Sequence, residues 1–233
     1  MTRASSVILL SGGLDSAANL AFCHDRDSAV LALTADYGQR AARRELAAAR
    51  GLAKYYGVRH EVVDLTWLGR LGGSALTSDQ VIPDMAASHL DDLDVTRETA
   101  RQVWVPNRNG ILLNVASAFA ERLGAARVVV GFNIEEAATF PDNSEEFLEA
   151  ASHALKYSTA GRVQAFSYTA RWDKRQIAIE LRKLAKPFPF EQVWSCYQGG
   201  EKPCGNCESC RRFMRAVEHA EGTSESAGGF RER

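Results

Sequence analysis

The sequence predicts an α/β fold: a doubly wound, mostly parallel sheet with a small metal-binding subdomain near the C-terminus. Three observations predict it. Short apolar runs alternate with helical patterns. A Gly-Gly turn flanked by serines joins the first run to the first helix. Four cysteines crowd between positions 196 and 210. A chain of 233 residues is long enough for one full α/β domain and an appendage.

Taken in order, residues 5–10 read Ser-Ser-Val-Ile-Leu-Leu. A continuous apolar run next to a Gly-rich turn predicts a parallel strand buried on both faces. Residues 14–25 follow as a helix, 29–34 as a second strand, and 39–56 as an Ala- and Arg-rich helix stopped at Gly57. Residues 60–65 are a third strand. Strands alternating with helices require right-handed crossovers and hence a doubly wound sheet. Residues 66–106 break this rhythm. Their Gly/Ser-rich start and the acidic 91–94 stretch predict an excursion over one end of the sheet, in the position of a lid. A helix over 109–123, a strand over 127–131, a helix over 144–155 capped by Ser144 and a strand over 162–169 come next. The last predicted helix covers 173–184, with Asp173 as its cap and Pro187 beyond its end. The expected organisation is a nucleotide-binding domain over 1–190, a four-cysteine subdomain over 191–221, and a Gly/Ser/Glu-rich flexible tail over 222–233.

The segment Leu10-Ser11-Gly12-Gly13-Leu14-Asp15-Ser16-Ala17 joins the first strand to the first helix. Glycines let the backbone turn tightly and present N–H groups to an anion. Ser11 and Ser16 add hydroxyl donors, and the helix directs its positive end at the same point. Asp15 would repel a phosphate, so it holds Mg²⁺ or shapes the loop. A tight turn without a ligand is the bland alternative, and the strand–turn–helix context argues against it. The spacing is neither that of a Walker A loop nor that of a dinucleotide fingerprint.

Cys196, Cys204, Cys207 and Cys210 offer four thiolates within one loop. Zinc takes four ligands in a tetrahedron, and Cys-x-x-Cys turns supply that geometry; a closed Cys₄ site is structural. An iron–sulfur cluster and a redox pair are the rival readings, and the spacing favours zinc. Cys23, within a helix, reads as a small buried hydrophobe.

The charges nearly cancel: 28 Lys and Arg against 29 Asp and Glu, a net of −1. No general basic field exists to hold a long nucleic acid, so no nucleic-acid partner is expected. No run approaches the roughly 18 apolar residues of a membrane span, and the start carries no secretory pattern; a cytoplasmic protein without a membrane partner is expected.

The Ser-Gly-Gly-x-Asp-Ser turn resembles the PP-loop of ATP pyrophosphatases, whose fold is the adenine nucleotide alpha hydrolase type. That resemblance implies ATP, with its Mg²⁺, and a loop that holds the pyrophosphate leaving group. It also implies adenine against the end of the second strand, at Thr34-Ala35-Asp36, with Thr34 and Asp36 as the candidate contacts. Further blocks make the resemblance narrower. They are Ala32-Leu33-Thr34-Ala35-Asp36-Tyr37-Gly38-Gln39, Val105-Pro106-Asn107-Arg108-Asn109-Gly110, Gly131-Phe132-Asn133, Pro141-Asp142 and Trp194-Ser195-Cys196-Tyr197-Gln198-Gly199-Gly200-Glu201-Lys202. With the cysteine loop they resemble the 7-cyano-7-deazaguanine synthase family of queuosine biosynthesis, across about residues 5–220. The resemblance implies an enzyme, a carbon–nitrogen ligase. Its substrates would be 7-carboxy-7-deazaguanine, ammonia and ATP, its course an adenylated carboxylate and then an amide, its product the nitrile, and its assembly a homodimer.

Roles follow from residue type. Ser11, Gly12, Gly13 and Ser16 bind phosphates. Asp15, Ser16 and Arg108 are the catalytic candidates, with Arg108 meeting the substrate carboxylate or α-phosphate. Asn107, Arg108, Asn133 and Asp142 are the candidate substrate contacts, Asp142 accepting from the N1–H and amino group of a guanine-like base. Asn107 and Asn109 otherwise fix their loop or cap the next helix. Lys174 reads as a solvated lysine, with a phosphate role as its alternative. His24, His60, His89, His153 and His219 form no constellation. Three segments depart from the family pattern. Glu136-Ala137-Ala138-Thr139-Phe140 stands for Asp-Tyr-Ser-Gly-Tyr, Asn143-Ser144 for Cys-Arg, and Arg40-Ala41-Ala42 replaces a residue followed by His. These are expected pocket positions. They keep open a related PP-loop ligase or amidotransferase acting on another carboxylate or purine and stopping at the amide. A tRNA-thiolating relative would need a catalytic cysteine pair, and the cysteine loop uses the clustered thiols. A nucleotide-binding regulatory module without turnover is the reading from another class.

Overall fold

The computed structural model describes residues 4–222. Five parallel strands stand in the order β3-β2-β1-β4-β5. They are β1 (Ser5–Leu9), β2 (Ser28–Asp36), β3 (His60–Asp64), β4 (Arg127–Val129) and β5 (Gln164–Phe166). The helices are α1 (Leu14–Arg26), α2 (Ala42–Tyr56), α3 (Thr66–Gly69), α4 (Leu93–Val103), α5 (Arg108–Leu123), α6 (Ile134–Ala137), α7 (Glu145–Ser158), α8 (Lys174–Arg182) and α9 (Glu208–Gly222). The chain runs outward from β1 through β2 to β3, then returns to add β4 and β5 on the other side. The C-terminal ends of β1 and β4 therefore flank the point where the winding reverses, where open α/β sheets bind ligands.

Both faces of the sheet are covered, which is why its strands are apolar without alternation. One face buries Ile8, Ala32 and Val129 against α1, α2, α8 and α9. The other buries Val7, Leu31, Leu33 and Val128 against α5 and α7. Phe22 of α1 is fully buried and meets the Trp172 ring edge-on at 5.4 Å. Truncating such a side chain costs about 3–5 kcal/mol.

The helix ends follow their signals. Gly57 adopts φ 69° at the end of α2. Ser144 accepts the Phe147 N–H at the start of α7, and Asp173 with Gln176 forms a capping box on α8. Several predicted boundaries shift. The helix expected from 39 starts at Ala42, because the Gln39 amide is engaged in a turn, accepting the Tyr37 N–H and donating to Glu45. The strands expected over 127–131 and 162–169 keep three residues each, since the chain leaves the sheet at Gly131 and Ser167 turns its hydroxyl onto the Phe132 carbonyl. The 66–106 excursion is more regular than expected: the acidic stretch caps α4, with the Asp92 carboxylate accepting the Asp94 and Val95 N–H groups. Beyond the cysteines the chain forms α9, whose Ala216 and Ala220 join the core beside α8. The region 191–221 is thus built onto the main core through α9. The expected tail lies outside the described residues, apart from Gly222 at the end of α9.

Gly131 shows how closely the sheet end approaches α1. A Cβ there would stand 2.5 Å from the Ser16 nitrogen and 2.7 Å from the Asp15 carbonyl carbon. Gly131→Ala is expected to cost about 1–3 kcal/mol, the range for overpacking. Thermal unfolding should show a lower midpoint, because the displaced atoms belong to the turn between β1 and α1.

Candidate active site

The turn after β1 is held by its own serines. The Ser16 hydroxyl accepts the Ser11 N–H at 3.2 Å and lies 3.0 Å from the Ser11 hydroxyl, which in turn accepts the Gly13 N–H at 3.3 Å. Gly12 has φ 89°, and a Cβ there would meet the Glu45 carbonyl oxygen at 2.8 Å. Only glycine allows α2 to pass so close behind the turn. Gly13 precedes α1 without a side-chain cap, so the first N–H groups of the helix face the cavity without an intrahelical partner.

Beside the turn lies a buried cation. Lys174 opens α8, and its Nζ stands 2.5 Å from Asp15 Oδ2 and 2.9 Å from Glu136 Oε1. Its side chain is 7% exposed. Burial works against the ammonium charge, but the two carboxylates outweigh it and hold Lys174 above the usual lysine range. Burial raises the Asp15 carboxyl despite Lys174. Glu136 is held below its ordinary value: burial opposes its charge, and Lys174 and Arg212 overcome that. Asp15 Oδ1 is buried and has no hydrogen-bond partner among the described residues.

Arg108 starts α5 and enters the same cavity. Its guanidinium lies 5.9 Å from the Tyr37 ring centre, and its Nε donates to Asn109 Oδ1 at 3.3 Å. Burial opposes its charge, while Tyr37 and Asp142 favour it, and the balance keeps it firmly cationic. The cavity between these groups measures about 240 Å³. Glu45, Phe140 and Asn143 also line it. Burial raises the Glu45 carboxyl, whose Oε2 accepts from Gln39 at 2.8 Å.

Of the residues selected from sequence, Leu10, Ser11, Gly13, Leu14, Asp15, Ser16 and Arg108 line this cavity. Gly12 shapes the turn from behind, and Ala17 is core. On β2 the cavity-lining residues are Leu33 and Ala35. Thr34 points the other way, its hydroxyl donating to the Leu10 carbonyl at 2.6 Å and lying 2.8 Å from His60 Nε2. Asp36 accepts the Gly38 N–H. Asn107 is exposed ahead of α5 at φ 51°. Asn133 is fully buried and caps α6 by accepting the Glu136 N–H at 3.0 Å. Asp142 lies in a small recess behind Arg108, with Trp104 and Phe140.

The solvated reading of Lys174 is corrected. Lys174, Ile177, Ala178 and Leu181 are the buried positions of α8, spaced i, i+3, i+4, i+7. A lysine in the first place of an apolar stripe faces the core, and that spacing was the available signal. Glu136, Tyr37 and Glu45 carried no comparable one.

The four clustered cysteines converge. Their sulfur atoms all lie within 4.8 Å of one another, and Cys204 and Cys210 stand 3.9 Å apart. Tetrahedral thiolate coordination of zinc at ~2.3 Å needs edges of roughly 3.8 Å, so the donor set fits a metal with slight contraction. Backbone N–H groups of Gln198 and Cys204 donate to the Cys196 sulfur, each at 3.3 Å, as a thiolate requires. The loop also builds the active-site wall. The Trp194 N–H donates to the Gly12 carbonyl at 2.9 Å, and Trp194, Ser195 and Tyr197 line the cavity.

The chain matches the family described as queuosine biosynthesis protein QueC over residues 5–221. Among its relatives, the 7-cyano-7-deazaguanine synthase of Desulforudis audaxviator is 51% identical over 97% of this chain and 98% of its own. The synthase of Desulforamulus reducens is also 51% identical, over 91% of this chain and 92% of its own. That of Bdellovibrio bacteriovorus is 50% identical, over 92% and 93%. Among solved structures, a U34-tRNA thiolase from Methanococcus maripaludis aligns with a TM-score of 0.46 at 16% identity, over 99% of this chain and 77% of that one.

Lys174→Met would leave Asp15 and Glu136 buried without their cation, at a cost of about 3–5 kcal/mol near neutral pH. Without the ammonium, burial raises the Asp15 carboxyl further and acts on Glu136 with less opposition. A raised folded-state value stabilises only in the protonated range. The deficit measured by denaturant unfolding should therefore be largest at pH 7–8 and shrink as the pH falls through the carboxylate range.

Proposed function

We propose, because this chain belongs to the QueC family of queuosine biosynthesis proteins, that it is a 7-cyano-7-deazaguanine synthase. The reaction consumes 7-carboxy-7-deazaguanine, ammonia and ATP. One activation converts the carboxylate to an acyl adenylate that ammonia opens to the amide, and a second carries off the amide oxygen to leave the nitrile. The carrying observation is that the Ser11–Ser16 turn and Arg108 line one cavity. A phosphate site and a carboxylate-seeking cation are what a carboxylate-activating ligase must bring together.

The residues divide accordingly. Ser11, Gly13 and Ser16, with the open N-terminus of α1, bind the phosphates that leave as pyrophosphate. Lys174 holds Asp15 and Glu136 in place beside them. The unpartnered Asp15 Oδ1 fits a Mg²⁺ ligand, the hard oxygen donor such a cation takes. Leu33 and Ala35 at the end of β2 offer the apolar surface for adenine. Arg108 orients the substrate carboxylate, and Asp142 in the recess behind it steadies the guanidinium. Asn109 and Asn143 line the cavity, and their side-chain amides hold Asp142 in place, Asn109 donating to its carbonyl and Asn143 to its carboxylate, each at 3.2 Å. Zinc is the metal that suits the four sulfurs, where it would brace the Trp194–Tyr197 wall.

A second reading, a ligase that stops at the amide, is favoured by one observation: Glu136, Phe140 and Asn143, which depart from the family pattern, all line the cavity. Mass spectrometry of a reaction with ATP, Mg²⁺, ammonium and 7-carboxy-7-deazaguanine separates the readings. The nitrile is expected; accumulated amide, or no turnover of this acid, would overturn the first reading and point to a related ligase with a shifted endpoint or substrate. Asp15→Asn should lower turnover by at least about a hundredfold while the fold and metal content persist. Metal analysis of the purified protein should find zinc in equal amount to the chain, and Cys207→Ser should lose it together with several degrees of thermal midpoint.

A further inference from the structure

Glu135 belongs to none of the groups above, yet it touches the backbone of the residue on which the phosphate site is built. Its Oε2 accepts the Lys174 N–H at 3.2 Å. Lys174 opens α8, so this N–H is one of those that no residue of the helix can satisfy; the Asp173 side chain serves Gln176 instead. The other oxygen, Oε1, accepts Arg215 Nη2 at 2.7 Å and Arg212 Nη1 at 3.4 Å. Both arginines stand on α9, the helix that carries Cys210. Both are fixed further: Arg212 donates to the Leu90 carbonyl at 3.0 Å and to Glu208, and Arg215 to Asp91 at 2.9 Å. Glu135 is 12% exposed, so its three contacts operate with little competing water.

Two consecutive glutamates of α6 thus grip one lysine from both ends. Glu135 holds the main chain of Lys174, and Glu136 holds its ammonium. We propose that Glu135 is a positioning residue for ATP use: it fixes the origin of the Lys174 side chain against α9, and so sets where the ammonium stands beside Asp15 and the phosphate turn. A tie between α6 and α9 alone would account for the arginine contacts but not for the bond to the Lys174 N–H. The inference rests on the reading of this cavity as an ATP site.

The test uses the full-length, metal-loaded protein. Calorimetry with a non-hydrolysable ATP analogue and Mg²⁺ measures affinity without turnover, and steady-state assays give KM for ATP and kcat. For Glu135→Gln, dissociation constant and KM are expected to rise about tenfold, with metal content unchanged. A purely structural role would lower the active fraction, hence kcat, and leave KM unmoved. On a Lys174→Arg background the same substitution should change affinity less than about twofold, because the two residues act through one contact chain. Equal effects in both backgrounds, or an unchanged KM, would overturn the proposal. If Glu135→Gln does not fold, Arg215→Gln removes the partner on the more exposed side; unchanged ATP affinity there would overturn it as well. Wild-type protein that fails to bind the analogue would instead sink the ATP reading itself.

Discussion

The structure depends on the contact between Lys174 and the pair Asp15 and Glu136. Three elements far apart in sequence meet there: the turn after β1, the short helix α6 after β4, and the start of α8. A cation at 7% exposure is tolerable only because two carboxylates lie within 3 Å of it. Removing Lys174 strands both carboxylates, so the interaction fixes the relative position of those elements more strictly than apolar packing would. Apolar cores admit rearranged packings of similar volume; a buried triad with short contacts does not. The phosphate turn inherits that rigidity, because Asp15 lies within it.

The cysteine loop extends the same logic. Trp194 donates its N–H to the carbonyl of Gly12, and the Arg44 guanidinium lies 5.4 Å from the Trp194 ring. Arg44 also donates to the Gly200 carbonyl at 2.8 Å, and a Cβ at Gly199 would collide with the Arg40 carbonyl oxygen at 2.2 Å. The loop is seated on the start of α2 and on the phosphate turn together. A short segment with few apolar residues cannot hold that seat by burial alone. The four sulfurs converge on one point, and a metal held there, as proposed, would supply the missing constraint on the segment that carries Ser195 and Tyr197 into the cavity wall. A metal site that performs no chemistry then still determines the shape of the active site.

The parts legible in the sequence are those whose cause is local. The alternation of apolar runs and helices follows from periodicity, the Ser11–Ser16 turn from its glycines and serines, and the Ser144 and Asp173 caps from the chemistry of one side chain on a nearby N–H. The cysteine cluster is legible because its ligands lie in one segment. What escaped depends on partners distant in sequence. Glu136 is an unremarkable acidic residue until α8 brings Lys174 to it. Asp142 was expected in contact with substrate and stands behind Arg108, because the neighbouring Asn143 is the residue that faces the cavity. The resemblance pointed to the segment Thr34-Ala35-Asp36; side chains alternate along a strand, and within that end of β2 it is Leu33 and Ala35 that line the cavity.

Under the proposed function, the charge arrangement constrains how nucleotide enters. The cavity holds two cations, Lys174 and Arg108. Lys174 is already matched by two carboxylates, and Arg108 has Asp142 behind it and Glu45 across the cavity. Little unbalanced positive charge is left to attract a bare triphosphate, whose own charge Asp15 and Glu136 would repel. An Mg²⁺ nucleotide reverses that sign at one point. The metal can take the unpartnered oxygen of Asp15, leaving the other oxygen on Lys174 and the phosphates free to meet the hydroxyls and N–H groups of the turn. The carboxylates that look out of place in an anion site are then what selects the metal-bound form. The same balance suits a site used twice in succession, since pyrophosphate released with its Mg²⁺ restores a cavity whose charges are already paired.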